Sequence, residues 1–305
     1  MSHRVSRCAK AGLGGALLAS LIFVAGGQAF GQQTPSLEPT AVEPSSSDKS
    51  QPREVGPLRQ FLREQMAQLL EILSAENGTD PTAIVGRFQL SNEYRDLTRG
   101  RLRDDLTPRV DIPLAPSVLL RVDMPFQWAD PNLSSGATFV GTSDMLVRVG
   151  WRFLYTPVYR LFAGSDFIFP TASNDNLGEG KYEVAPGGGF SLSIPEIKSV
   201  LASIAQNFKS VGGDPSRPDI DVARLRTELN TLWSQYWWTL LRSTVHVDWN
   251  QHAKSGMTLD LEMGRRLDKH WRIYAMPGVG LWGNDVKGDY EWKVEFGVRY
   301  MFYRF

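Results

Sequence analysis

The chain is 305 residues long and carries 33 basic and 33 acidic side chains. That balance leaves no net field to attract a polyanion, so no nucleic-acid partner is expected. Its single cysteine is Cys8, which excludes a disulfide scaffold and a cysteine-built metal site; no metal and no cofactor are expected.

The N-terminus reads as an export signal. Residues 1–10 hold Arg4, Arg7 and Lys10 and no acid, and 11–27 (AGLGGALLASLIFVAGG) are uncharged and largely apolar. Small residues then offer cleavage after Ala29, with Gly31 as the alternative, so 1–29 is the predicted signal peptide. No later apolar run approaches the ~18 residues of a spanning helix. A helical membrane protein is thereby excluded, but not a barrel, whose strands need only alternate over ~10 positions.

Residues 30–56 are rich in Pro, Ser, Gln and Glu and read as a disordered linker. The spacing predicts an amphipathic periplasmic helix over 57–78. Pro57 opens it, Gly78 and Pro81 stop it, and Leu58, Phe61, Leu62, Met66, Leu69, Leu70 and Leu73 recur at steps of three and four. A lone helix of this kind must lie on something. Packing on the periplasmic rim of the next domain, or on a second copy, is preferred to a plug, because an apolar face suits a wet channel poorly.

From 83 to 305 the period becomes two. In 143–153, Met145, Val147, Val149, Trp151 and Phe153 oppose Arg148, Gly150 and Arg152; 117–128 and 256–267 repeat the alternation. The closing segment sets Tyr290, Trp292, Val294, Phe296, Val298, Tyr300 and Phe302 against Lys293, Glu295 and Arg299. Strands are predicted at 84–94, 101–112, 117–128, 143–153, 159–170, 181–194, 197–209, 222–233, 237–249, 256–267, 271–283 and 289–302. They are longer than the five or six residues, on average about that, of soluble strands. Aromatics gather at their ends (Trp128, Trp151, Tyr155, Trp233, Tyr236, Trp237, Trp238, Trp271, Trp282) as a membrane-interface girdle requires. Short connections alternate with longer ones at 129–142, 171–180 and 210–221. The predicted fold is all-β: a transmembrane antiparallel β-barrel of about 12 strands. Ten strands with a helix across 196–232 is the alternative, since VLASIAQNF and VARLRTEL also fit a helix.

The inward parity selects lumen-lining candidates: Arg121, Asp123, Arg148, Arg152, Arg242, His246, Asp248, Asp260, Glu262, Arg266, Lys293, Glu295 and Arg299. Buried lumen charges pair with one another, and the same residues would set selectivity in a channel. No catalytic residue is expected. His246 shares a face with Thr244 and Asp248, but Ser243 has the opposite parity, so no serine–histidine pair is in view. Phe296, Val298, Tyr300 and Phe302 form the candidate assembly signal, with Phe302 as the end of the closing strand and Tyr303-Arg304-Phe305 as an overhang.

Phe169-Pro170-Thr171-Ala172, Leu177-Gly178-Glu179-Gly180-Lys181-Tyr182 and Pro186-Gly187, with PGVGLWG at 277–283 and EFGVRYMF at 295–302, resemble the glycine-rich hairpins of the phenol-degradation (MetA-pathway) outer-membrane proteins. Ala172 stands where that family has glycine, and three residues follow the usual terminal phenylalanine. The resemblance implies a Gram-negative outer-membrane barrel passing small hydrophobic or aromatic molecules. The partners expected are outer-membrane lipid, the barrel assembly machinery and a small-molecule solute. A structural or adhesive barrel without transport is the alternative, and an outer-membrane lipid hydrolase stands third.

Overall fold

The computed structural model describes residues 56–97, 101–130, 138–283 and 286–304. The expected signal peptide and nearly all of the linker lie outside them. One helix, α1 (Pro57–Asn77), precedes the strands, as its spacing predicts. Gly78 ends it in the left-handed conformation (φ 72°), and the backbone N–H groups of Gly78 and Thr79 bond back to Ala75 and Ser74.

Twelve antiparallel strands follow among the described residues. They are β1 (Val85–Leu97), β2 (Arg101–Ala115), β3, β4, β5 (Tyr159–Phe169), β6 (Lys181–Ile194), β7 (Ser199–Gly213), β8 (Asp221–Leu232), β9 (Trp237–Asp248), β10 (Lys254–Arg266), β11 (Trp271–Trp282) and β12 (Trp292–Arg304). β3 comprises Val118–Asp123 and Phe126–Asp130, interrupted at Pro125, which has no N–H to give the ladder. β4 comprises Phe139–Thr142 and Met145–Tyr155. Each strand pairs with its sequence neighbours, and β1 pairs with β12 (Phe88 opposite Tyr300, Tyr94 opposite Val294), closing the barrel. Closure leaves no open edge, the condition for a sheet in hydrocarbon.

The twelve-strand reading holds and its alternative falls: residues 199–213 and 221–232 are strands, with no helix across 196–232, because β7 and β8 pair with each other and with β6 and β9. Tyr303 and Arg304, expected as an overhang, instead continue the ladder opposite Gly86 and Val85, so β12 does not end at Phe302. In β7 neither polarity nor size alternates: Val200, Ala202 and Ile204 are buried while Leu201, Ser203 and Ala205 take the outward parity. The expected loop 129–142 also contains ladder, since Phe126 pairs with Thr142 and Ala129 with Phe139.

The barrel is polar inside and apolar outside. Phe88, Ile112, Trp151, Phe153, Leu225, Leu241, Met263, Ile273 and Phe296 are exposed, whereas Asp166, Glu262, Arg272 and Arg160 are almost fully buried. A water-soluble fold would reverse that assignment; a lipid-facing band around a charged interior is outer-membrane architecture. Of the expected aromatic girdle, Trp151, Tyr155, Trp233, Tyr236, Trp237, Trp271 and Trp282 are exposed, but Trp238 lies inside at 1% exposure. Tyr290, read as outward, is also buried: it precedes β12 and turns in to give its hydroxyl to Asp260.

Trp238 fits inside because its cross-strand partner is Gly264. A Cβ there would come within 2.0 Å of the indole, whose N–H donates to Glu262 at 2.8 Å. Gly297 makes the same room for Tyr274. Gly264→Ala is expected to destabilise the barrel by about 1–3 kcal/mol through overpacking. Trp238→Phe should recover part of the loss. Urea titration of the single and double variants in vesicles measures both; independent, additive effects would contradict the contact.

The helix position departs from the expected rim packing. Its first half is exposed, with Leu58 at 69% and Phe61 at 56%, but Ala67, Leu70, Ser74, Ala75 and Asn77 are buried. Leu70 packs with Val200, Leu232, Trp238, Tyr274 and Met276, and Ala75 with Val85 and Met301. All of these belong to the short-turn end of the barrel interior. The last turns of α1 and residues 78–84 therefore plug that mouth. The plug is possible because only Leu70 and Leu73 of the leucine stripe enter it, against an apolar patch of the wall, and the other inserted residues Ala67, Ser74, Ala75 and Asn77 are small or polar.

Candidate functional site

The interior side chains form a chain of ion pairs between α1 and the outer loops. Nearest the plug, Arg299 binds Glu262 through two contacts of 2.8 Å and also donates to the Asn77 carbonyl at 3.1 Å. Arg87 donates to the Gly78 carbonyl at 2.8 Å and to Asp111 at 2.5 Å. Arg160 and Asp80, both fully buried side chains, lie 3.3 Å apart, and Asn230 donates to the Thr79 hydroxyl. Arg266 reaches Glu76 at 2.7 Å, while Arg152 donates to the Pro116 carbonyl and stacks over Tyr155. Arg152 and Arg266 thus hold the inner rim and the plug rather than mid-lumen.

At mid-height, Arg121 takes Asp111 at 2.6 Å, Asp123 takes Arg109 at 2.7 Å and Arg148 takes Asp166 at 2.5 Å. Arg242 donates to Glu228 at 2.8 Å. Lys293 lies among Glu93 (2.8 Å), Asp260 (3.5 Å) and Glu295 (3.7 Å), and Tyr274 donates to Glu295 at 2.5 Å. His246 and Asp248 stand at the outer end. The His246 ring bonds Asp289 at 2.9 Å, and Asp248 accepts from the Asn250 N–H and the Gln251 amide. His246 and His270 bond a carboxylate and the Met301 carbonyl, so neither is joined to a serine.

Sequence parity did not single out Arg87, Glu93, Arg109, Asp111, Asp166, Arg224, Arg226 or Glu228, all of which enter this interior. Outside the spanning segments, Asp268 and Asp289 shift in opposite directions. Backbone N–H groups of Trp271 and His270 hold Asp268, in the turn before β11, below the usual carboxylate range. Burial pushes Asp289 above it, against the pull of His246.

Among the described residues, spaces remain along the barrel. An outer vestibule of about 890 Å³ is bounded by Arg103, Asp130, Phe208, Asp248 and Lys287. A central cavity of about 250 Å³ is lined by eight cationic side chains, among them Arg148, Arg224, Arg226 and Arg242, and five acidic ones. A smaller space of about 130 Å³ separates it from residues 78–84.

The fold is shared with solved membrane channels. The NanC porin superposes with a TM-score of 0.52 over 71% of this chain and 99% of its own, at 10% identity. An outer membrane channel from Pseudomonas putida F1 does so with a TM-score of 0.58 over 73% and 97%, also at 10% identity. This is an outer-membrane barrel fold. No family model matches the sequence, and neither does any curated protein. The resemblance to the phenol-degradation proteins is thereby supported as far as the barrel class.

The outward row Phe296, Val298, Tyr300 and Phe302 remains a proposed assembly signal; Phe296 and Phe302 are exposed at 57% and 47%. Tyr300→Ala combined with Phe302→Ala is expected to deplete the heat-modifiable folded band in outer-membrane fractions. Undiminished folded protein would remove the row from that role.

Proposed function

We propose that this protein is an outer-membrane channel for small solutes, gated at the periplasmic mouth by its own N-terminal helix. The observation that carries this reading is the charged central cavity lying between an outer vestibule and the plug. A barrel of 12 strands is wide enough to leave such a space, whereas about eight strands fill their interior with side chains.

The resemblance implied small hydrophobic or aromatic cargo. The lining favours the polar end of that range: an aromatic solute would have to carry a polar or charged group to replace the water it displaces from the guanidiniums. No catalytic chemistry is proposed.

Planar-bilayer recording of the refolded full chain tests the channel reading. A reproducible unitary current is expected. Silence from both the full chain and a form lacking residues 57–80 would leave a structural barrel as the better account.

A further inference from the structure

The lumen charges do not cancel locally on the wall formed by β8 and β9. Arg224, Arg226 and Glu228 alternate along β8 and so share the inward face, where Arg242 opposes Glu228 across the ladder. Glu228 is the single carboxylate for two guanidiniums, Arg242 at 2.8 Å and Arg226 at 3.2 Å. The cross-strand neighbours of Arg226 are Ile204 and Thr244, neither of them acidic.

Arg224 has no carboxylate within ion-pair distance among the described residues. It donates to the Gln206 side-chain carbonyl at 2.5 Å, and its guanidinium lies over the Phe208 ring at 4.4 Å. Gln206 is held in turn by the Ala185 carbonyl. Among the described residues Arg226 makes no well-aligned protein hydrogen bond: its buried Nε lies 3.2 Å from Glu228 but off the hydrogen-bond direction. Arg242 also faces Asp260 across the ladder to β10, so the shortage of negative charge falls on Arg224 and Arg226, on a wall largely withdrawn from bulk water. The neighbouring Arg148 is already neutralised by Asp166 and supplies no relief.

Uncompensated buried charge is costly, and a counter-charge from solution removes part of the cost. The cavity these side chains face is about 250 Å³, room for roughly eight waters at ~30 Å³ each. That exceeds the need of a bare halide. A guanidinium presents two parallel donors matched to a carboxylate, and Met276 and Leu146 give the cavity an apolar flank.

We propose that Arg224, Arg226 and Arg242 form a binding site for a small organic carboxylate. The inference rests on the channel reading for its biological sense and narrows the solute to anions; the site itself is testable without conduction.

Calorimetric titration of the detergent-folded full chain with sodium benzoate at low ionic strength is the experiment, with benzyl alcohol as the neutral counterpart. Benzoate should bind and benzyl alcohol should not. Arg224→Gln with Arg226→Gln should weaken benzoate at least about tenfold, while Lys209→Gln, at an exposed pair with Asp221, should not. Heat-modifiable mobility verifies folding. If the double variant fails to fold, Arg224→Gln alone, which breaks no ion pair, carries the test and should still weaken binding. Absence of benzoate binding, equal binding by the folded variant, or displacement of benzoate by chloride at equal concentration would overturn the proposal. Bound benzoate in a protein that passes no current would instead count against the channel reading and leave the site standing.

Discussion

Deleting residues 57–80 should raise single-channel conductance severalfold and leave an assembled barrel. The deletion removes Leu70, Ser74 and Ala75 from the inner mouth, together with the Asn77 and Gly78 carbonyls that Arg299 and Arg87 bind. It leaves the closing ladder untouched, since β1 begins at Val85 and its pairing with β12 runs from there to Asp96. The exposed cost falls on Arg160, which loses Asp80 but keeps Ser191 at 2.9 Å. Opening the mouth also admits water to that guanidinium, so the penalty of a stranded buried charge is not paid in full. Asp80→Asn is the milder form: it weakens one anchor, and more frequent opening events are expected at nearly unchanged unitary current. Recordings of the three proteins under one salt condition decide the matter. An unchanged conductance after deletion would show that the plug is not the narrowest part of the path.

The barrel was legible because its signal is redundant. Strands such as 143–153 and 256–267 alternate with few departures, such as Leu146 inward and Arg265 outward, and the short connections mark one end of the barrel. Legibility weakened where polarity does not alternate. In VLASIAQNF, Val200, Ala202 and Ile204 are buried although they face a polar interior, and Val200 packs against Leu70 of the plug. No local property of that segment announces a helix arriving from 130 residues away in sequence, so the plug itself was read as a rim helix. The inverse holds for Trp238. Its indole looks like a girdle residue beside Trp237, and only the facing Gly264 reveals the pocket it fills. Arg224, Arg226 and Glu228 lie in the predicted strand 222–233 but were not among the lumen candidates, since VARLRTEL fits a solvated helix face as well; in β8 they are three successive inward positions. The thirteen lumen candidates were reached by parity alone, which gives a face but not a height. Hence Arg148 and Arg242, at the central cavity, were indistinguishable from Arg152 and Arg266 at the rim.

Leu225→Arg tests the parity of the same strand directly. Leu225 lies between Arg224 and Arg226, near the middle of β8, and is 48% exposed on the outer face with Ala205 and Val245 as its cross-strand neighbours. The substitution adds a third guanidinium to a run that already tolerates two. Charge type, strand and depth are nearly the same for all three positions; only the face differs. Inside, the guanidiniums meet Gln206, Glu228 and cavity water. Outside, the new one meets acyl chains, where an arginine near the bilayer midplane costs about 2–4 kcal/mol and less as it approaches the interface. Its long side chain will reach for the headgroups, which trims the cost without removing it. Leu225→Ala supplies the reference, because it deletes the same side chain without adding charge. Refolding free energies in vesicles should therefore place Leu225→Arg well below Leu225→Ala. Benzoate affinity of the folded fraction should match that of the unaltered protein, since the added charge points away from the cavity. Equal stability of the two variants would mean that position 225 does not face lipid, and the inward assignment of Arg224 and Arg226 would fall with it.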